Sequence, residues 1–170
     1  MSDLAAAHEF TWIQNASEIV RGYGLERLGS FDGGVSLLEQ GVDIGLQMDT
    51  PMQIAWASVY LSELMTSCGQ SEQARVHAQE AVMVSRKNGL RTVEVMSLQM
   101  MGRAQHRLRE SRAFFEEALG LSIEHGLRPL TANIQFELGW TITEMGDSEG
   151  GAEMLAAANA ERSELGLPSF

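Results

Sequence analysis

The chain holds one cysteine and three prolines, aromatics make up only 6% of it, and its 12 Lys and Arg are outnumbered by 23 Asp and Glu. Each shortage excludes something. The single thiol, Cys68, cannot form an intrachain disulfide, and its Ser-Cys-Gly setting has no metal-ligand spacing, which fits a reducing compartment. A net charge of −11 repels DNA, RNA and anionic membrane surfaces, so neither a nucleic-acid nor a membrane partner is expected. No apolar run approaches the roughly 18 residues of a membrane span. The N-terminal "MSDLAAAHEF" lacks the charged region and apolar core of a secretory signal, so the expected location is cytoplasmic. With proline only at 51, 129 and 168, and no alternating β-branched runs, strands have little support. Ala, Leu, Glu, Gln, Met and Arg are plentiful, and their propensities read as all-helical.

The helices repeat. "GSFDGG" (29–34), "GQSEQA" (69–74) and "GDSEGG" (146–151) are versions of one turn. Just after each turn stands a small residue: Gly34, Ala74, Ser111 or Gly151. Seven positions later comes another, at Gly41, Ala81, Ala118 or Ala158, and eight further on a helix stop, at Asp49, Gly89, Gly126 or Gly166. Gly22, Ser62, Gly102 and Gly139 hold the third small place. Glycine inside a helix costs about 0.8–1 kcal/mol relative to alanine, so these positions call for a close helix crossing that compensates. "NGL", "HGL" and "LGL" place glycine where a left-handed helix end belongs, with leucine next, and Pro51, Pro129 and Pro168 follow two or three residues after the stops at 49, 126 and 166. Four repeats follow, at about 8–50, 51–90, 91–127 and 128–167, within one 170-residue repeat domain.

Small residues at the eighth, twentieth and twenty-seventh places of paired helices, with glycine at the intervening turn, resemble the tetratricopeptide-repeat (TPR) family. The likeness is carried by "RGYGLERLGSFDGGVSLLEQGVD" (21–43) and "GLRPLTANIQFELGWTITEMGD" (126–147). The units run 37–40 residues rather than the roughly 34 of a tetratricopeptide repeat, and that longer form is similar to the C-terminal TPR arm of bacterial regulators that carry a signalling ATPase or a nucleotide cyclase upstream. The resemblance implies a right-handed α-solenoid of about eight antiparallel helices. It also implies a non-catalytic scaffold for a protein or peptide, or else a ligand- or signal-peptide sensor that changes curvature on binding.

No active site emerges from the residues. "GYGLERLG" has no preceding strand and no Lys-Ser/Thr, and the histidines at 8, 77, 106 and 125 form no i, i+4 pair, so neither a cofactor nor a metal is expected. Glu116 and Glu117 read as acids early in a helix, where its dipole favours them. Met96, Met100 and Met101, at helical spacing, read as core. Positions one after the first-helix small residue, and whole turns away, should line a groove: Tyr23, Glu26, Arg27, Tyr60, Glu63, Arg103, His106, Trp140, Thr143 and Glu144. Aromatic and Arg side chains are favoured interface anchors. Arg103, Arg107, Arg109 and Arg112 form a local basic patch, read as a solvated helix face or a dock for an acidic segment. Met154, Ala157 and Leu165 leave a modest apolar strip on the last helix, harmless or a contact with a second copy.

One stretch departs from the pattern. The small-residue spacing across the turn is twelve in three repeats but nine in the third, from Gly102 to Ser111, and the turn glycine is missing. Residues 102–119 are then either two helices joined by a bend near 106–109, or one rod that sends the fourth repeat to a second copy as a domain-swapped homodimer. Leu98, Met101, Leu108, Phe115 and Leu119 form a stripe that suits the rod. Gln105 and Arg112 interrupt it, and the repeat architecture favours the bend.

Overall fold

The structure is a computed structural model that describes the backbone of residues 3–170 and the side chains of residues 11–25 and 28–170. Glu26 and Arg27, two of the expected groove residues, lie outside the described side chains. Among the described residues all regular structure is helical: α1 (Asp3–Arg27), α2 (Phe31–Gln47), α3 (Pro51–Ser67), α4 (Ser71–Asn88), α5 (Arg91–Arg103), α6 (Leu108–Glu124), α7 (Arg128–Glu144) and α8 (Ser148–Glu164). They form two compact halves, Met1–Leu90 and Arg91–Phe170, each of two helix pairs. In the first half α2 packs on both α1 and α3, and α4 on α3; in the second α6 packs on α5 and α7, and α8 on α7.

The small-residue pattern is the packing pattern. All twelve positions are buried. A Cβ placed on Gly139 would lie 2.9 Å from Leu155 Cγ and 3.0 Å from the Gly151 carbonyl oxygen, so α7 and α8 meet almost backbone to backbone. A Cβ on Gly102 would lie 2.6 Å from Phe115 Cε1, inside the space the ring fills. Around these crossings lie Ile19, Leu38, Leu61 and Leu64 in the first half and Leu98, Phe115, Ile134 and Leu138 in the second. Met100 and Met101 are buried and Met96 half-buried, in line with the core reading of that cluster. Leu25 and Leu155 are only half-buried.

The helix stops behave alike. Gly89, Gly126 and Gly166 have φ of 65°, 65° and 68°, and Asp49 adopts the same hand at 50°. After each, a backbone N–H reaches back to close the last turn. Thr50 donates to Gly45 O at 2.9 Å, Leu90 to Ser85 O at 2.9 Å, Leu127 to Ser122 O at 2.8 Å and Leu167 to Arg162 O at 2.9 Å. Pro51 and Pro129 open the helices that follow, where their missing N–H costs nothing.

The irregular third pair is bent. Helix α5 ends at Arg103 and α6 starts at Leu108, and the two pack on each other within the chain. Gly102 is the last residue but one of α5, whereas Ser62 and Gly139 stand five before the ends of α3 and α7. Four helical residues are lost and one link residue is gained, which accounts for the spacing of nine. Leu108 is exposed and leaves the stripe that had suggested a rod. The bend therefore replaces the rod reading of 102–119, on which the domain-swapped arrangement rested. Glu116 and Glu117 sit in the middle of α6 rather than in its first turn, and Glu116 accepts from Arg112 Nε at 2.7 Å.

Candidate functional site

Apart from His106, the expected groove positions lie on the first helix of each pair, and each half is built differently. In the N-terminal half, Tyr23 on α1 stacks on Tyr60 on α3, with ring centroids 4.3 Å apart and planes at 22°. Trp56, one turn before Tyr60, lies 5.5 Å from it. Beside these rings a cavity of about 260 Å³ opens to solvent, lined by Trp12, Ala16, Ile19, Val20, Met52, Gln53, Trp56 and Tyr60. Trp12, Met52 and Val20 are exposed at its rim.

A buried amide network fixes that wall. Asn15 Nδ2 donates to Gly41 O at 3.1 Å and to Gln53 Oε1 at 2.7 Å, and Gln53 Nε2 donates to Trp12 O at 2.8 Å. Thr50 Oγ1 adds a bond to Gln53 Oε1 at 3.1 Å. Because the polar atoms of Gln53 are engaged behind the wall, the cavity presents carbon and ring faces. Burial raises the pKa of the Tyr60 hydroxyl, helped by Tyr23 and then Glu63, so the phenol is neutral at physiological pH. Glu63 is half-buried on the same helix.

In the C-terminal half, Arg103 on α5 pairs with Glu137 on α7, and Gln99 Nε2 donates to the same carboxylate at 2.7 Å. Trp140 is exposed and meets Phe136 edge-on at 6.3 Å. Phe136 is in turn covered by Phe170, stacked at 4.0 Å. His106 is exposed in the α5–α6 link, and Glu144 is exposed at the end of α7. Thr143 does not join this face. Its hydroxyl donates to Gly139 O at 2.9 Å and lies 2.0 Å from where a Gly151 Cβ would stand, so it is turned toward α8.

The arginine patch is locally engaged. Arg107 pairs with Glu110 at 3.2 Å, Arg112 with Glu116, and Arg103 with Glu137, while Arg109 is exposed at the start of α6. On α8 and its end, Ala157 is exposed and Met154 and Leu165 are half-buried, which leaves a small apolar patch. Among the described residues no group of three or more His, Cys, Asp or Glu is arranged to hold a metal, and no helix is long and apolar enough to cross a membrane.

Trp12, Met52, Trp56, Phe136, Arg162 and Phe170 were not among the expected groove residues. The signal for some of them was available. Trp56 and Met52 stand one and two turns before Tyr60, and Phe136 one turn before Trp140, where the whole-turn rule already pointed.

No protein-family model and no curated protein sequence matches the chain. Solved structures do match in fold. A Podosopora anserina protein described as a kinesin light chain with nearly identical TPR-like repeats superposes with a TM-score of 0.72 at 18% identity, over 89% of this chain and 76% of that one. A variant of that protein matches to the same extent. The fold is thus an all-α solenoid type of about four TPR-like helix pairs.

Proposed function

We propose that the chain is a non-catalytic scaffold that binds a protein or peptide on its first-helix faces. In this reading the four repeats, 8–50, 51–90, 91–127 and 128–167, form one array in a cytoplasmic bacterial regulator or a relative of one. The observation that carries the binding role is the N-terminal aromatic face, where Trp12, Trp56 and Tyr60 line an open apolar cavity and Tyr23 stacks on Tyr60. Large rings left at the surface around a concavity cost solvation unless a partner covers them, and aromatic anchors dominate binding energy at interfaces. The rigid amide wall behind them lowers the ordering cost of binding. TPR-like neighbours agree with a scaffold, and the resemblance of 21–43 and 126–147 to bacterial regulator arms supports the regulatory setting.

Selection of peptides from a displayed random library on the intact chain tests this. Peptides with an aromatic or branched aliphatic anchor should be enriched, and Trp12→Ala and Trp56→Ala should abolish the enrichment without loss of helicity. Selection that yields no consensus, or the same consensus on both variants, overturns it. A sensor of a small apolar ligand draws on the same cavity, whose volume lies just below the usual range for small-molecule pockets. Thermal stabilisation by a metabolite, with no peptide enriched, favours that second reading.

A further inference from the structure

We infer that residues 165–170 occupy, in cis, a peptide subsite on the C-terminal half whose intended ligand is a partner's extended segment with an aromatic side chain two residues after a proline. The inference rests on the peptide-binding reading above and names the chemistry recognised by the second face.

After α8 ends at Glu164, Gly166 reverses the chain at φ 68° and "LPSF" runs back across α8 to α7. Four contacts hold it. Arg162 Nε donates to the Pro168 carbonyl oxygen at 2.5 Å, and the Arg162 guanidinium lies over the Phe170 ring at 4.1 Å. The Phe170 N–H donates to Asn159 Oδ1 at 3.2 Å. The Phe170 ring stacks on Phe136, a residue of the groove-lining helix. Arg162 is itself steadied by Asn133 Oδ1 of α7 at 3.3 Å, and Asn159 by Leu155 O within α8 at 3.1 Å.

This is the grammar of peptide recognition: main-chain bonds for hold and one side-chain slot for choice. Two of the contacts are to backbone atoms of the tail, which any sequence supplies, and two are to an aromatic ring. Phe170 nevertheless remains 47% exposed, so the tail is laid on the face rather than packed into a core. Beside it a space of about 500 Å³, lined by Arg103, Asn133, Phe136, Glu137 and Phe170, leaves room for a ligand longer than the tail. A tethered segment sees its site at millimolar effective concentration, so even a weak contact keeps the slot filled until a better ligand arrives.

The probe is the capped peptide Ac-Gly-Leu-Pro-Ser-Phe-NH2 carrying 4-fluorophenylalanine, with binding to the full chain read by fluorine NMR. Phe170→Ala empties the ring slot at an exposed position and should bind the probe roughly tenfold more tightly than the parent chain, whose own tail competes. The probe with alanine in place of phenylalanine should not bind, and Phe170→Ala combined with Arg162→Ala should lose binding. Equal binding to parent and Phe170→Ala, or no binding to Phe170→Ala, overturns the inference. A parent chain that dimerises in sedimentation while Phe170→Ala stays monomeric would place the tail on a second copy and overturn the cis assignment. Because the library experiment reads Trp12 and Trp56 in the other half, failure here with a consensus there removes only this subsite.

Discussion

The hydroxyl of Ser111 donates to the carbonyl oxygen of Gly102 at 2.8 Å, fastening α6 to α5 beside the one link that lost its glycine. Gly34, Ala74 and Gly151 hold the corresponding place in the other pairs and have no hydroxyl. Ser111→Ala therefore fits the space and removes only the bond. Urea unfolding should show a loss of about 1 kcal/mol, up to about 2 because both atoms belong to a buried crossing. An unchanged midpoint would mean that packing alone holds the joint.

Two glycine-to-alanine changes should act with opposite sign. At Gly151 the new Cβ would stand 2.0 Å from Thr143 Oγ1 and 2.8 Å from Gly139 O, and the carbonyl can yield only if α7 and α8 separate. We expect about 1–3 kcal/mol of destabilisation. At Gly120, within α6, nothing lies within 4 Å, so the same change should stabilise by up to about 1 kcal/mol through helix propensity. Thermal melts of the two variants check the pair.

Asp49 ends α2 at φ 50°, a hand that glycine adopts without penalty and aspartate only with some strain. Its three counterparts are glycines. Asp49→Gly should raise stability by about 0.5–1 kcal/mol and Asp49→Ala lower it, measured by denaturant midpoint.

His77 on α4 is pushed below the ordinary histidine pKa of 6.5 by burial, which outweighs the opposing pull of Glu80 and Glu39. Its Nδ1 is buried without a hydrogen-bond partner. The folded chain therefore prefers neutral imidazole, and unfolding takes up a proton at pH values where the folded group stays neutral. This contribution is complete above pH 6.5 and is lost as pH falls from there through the lowered folded pKa. His77→Gln should flatten the stability–pH curve across that window. A curve of unchanged slope would assign the acid sensitivity to other groups.

Much of this was legible because repeats turn packing constraints into spacing. A helix crossing that admits only a hydrogen, methyl or hydroxymethyl must recur wherever the pair recurs, which is why Gly22, Ser62, Gly102 and Gly139 announced buried places before any coordinate. Helix stops were equally local, since a left-handed residue and its closing hydrogen bond involve only the last turn. Even Asp49, which breaks the glycine rule, was readable from its place in the series. The nine-residue spacing of the third repeat showed that something differed there. It did not choose between rod and bend, because helix propensity along 102–119 and tertiary packing pull in opposite directions.

By itself, then, the sequence determined the eight-helix, four-pair architecture, the positions of close approach and the helix ends, all of them set by steric limits on single residues or adjacent turns. Only the tertiary structure decided which side chains share a surface. Trp140 and Thr143 are three positions apart, about 60° round the helix, yet the Thr143 hydroxyl turns onto the Gly139 and Gly151 crossing while Trp140 stays exposed beside Phe136. The aromatic cavity of Trp12 and Trp56, and the return of Phe170 to Phe136 under Arg162, join residues 44 and 34 positions apart. Contacts at that range depend on how helices pack and where the chain turns back, and no local periodicity encodes them.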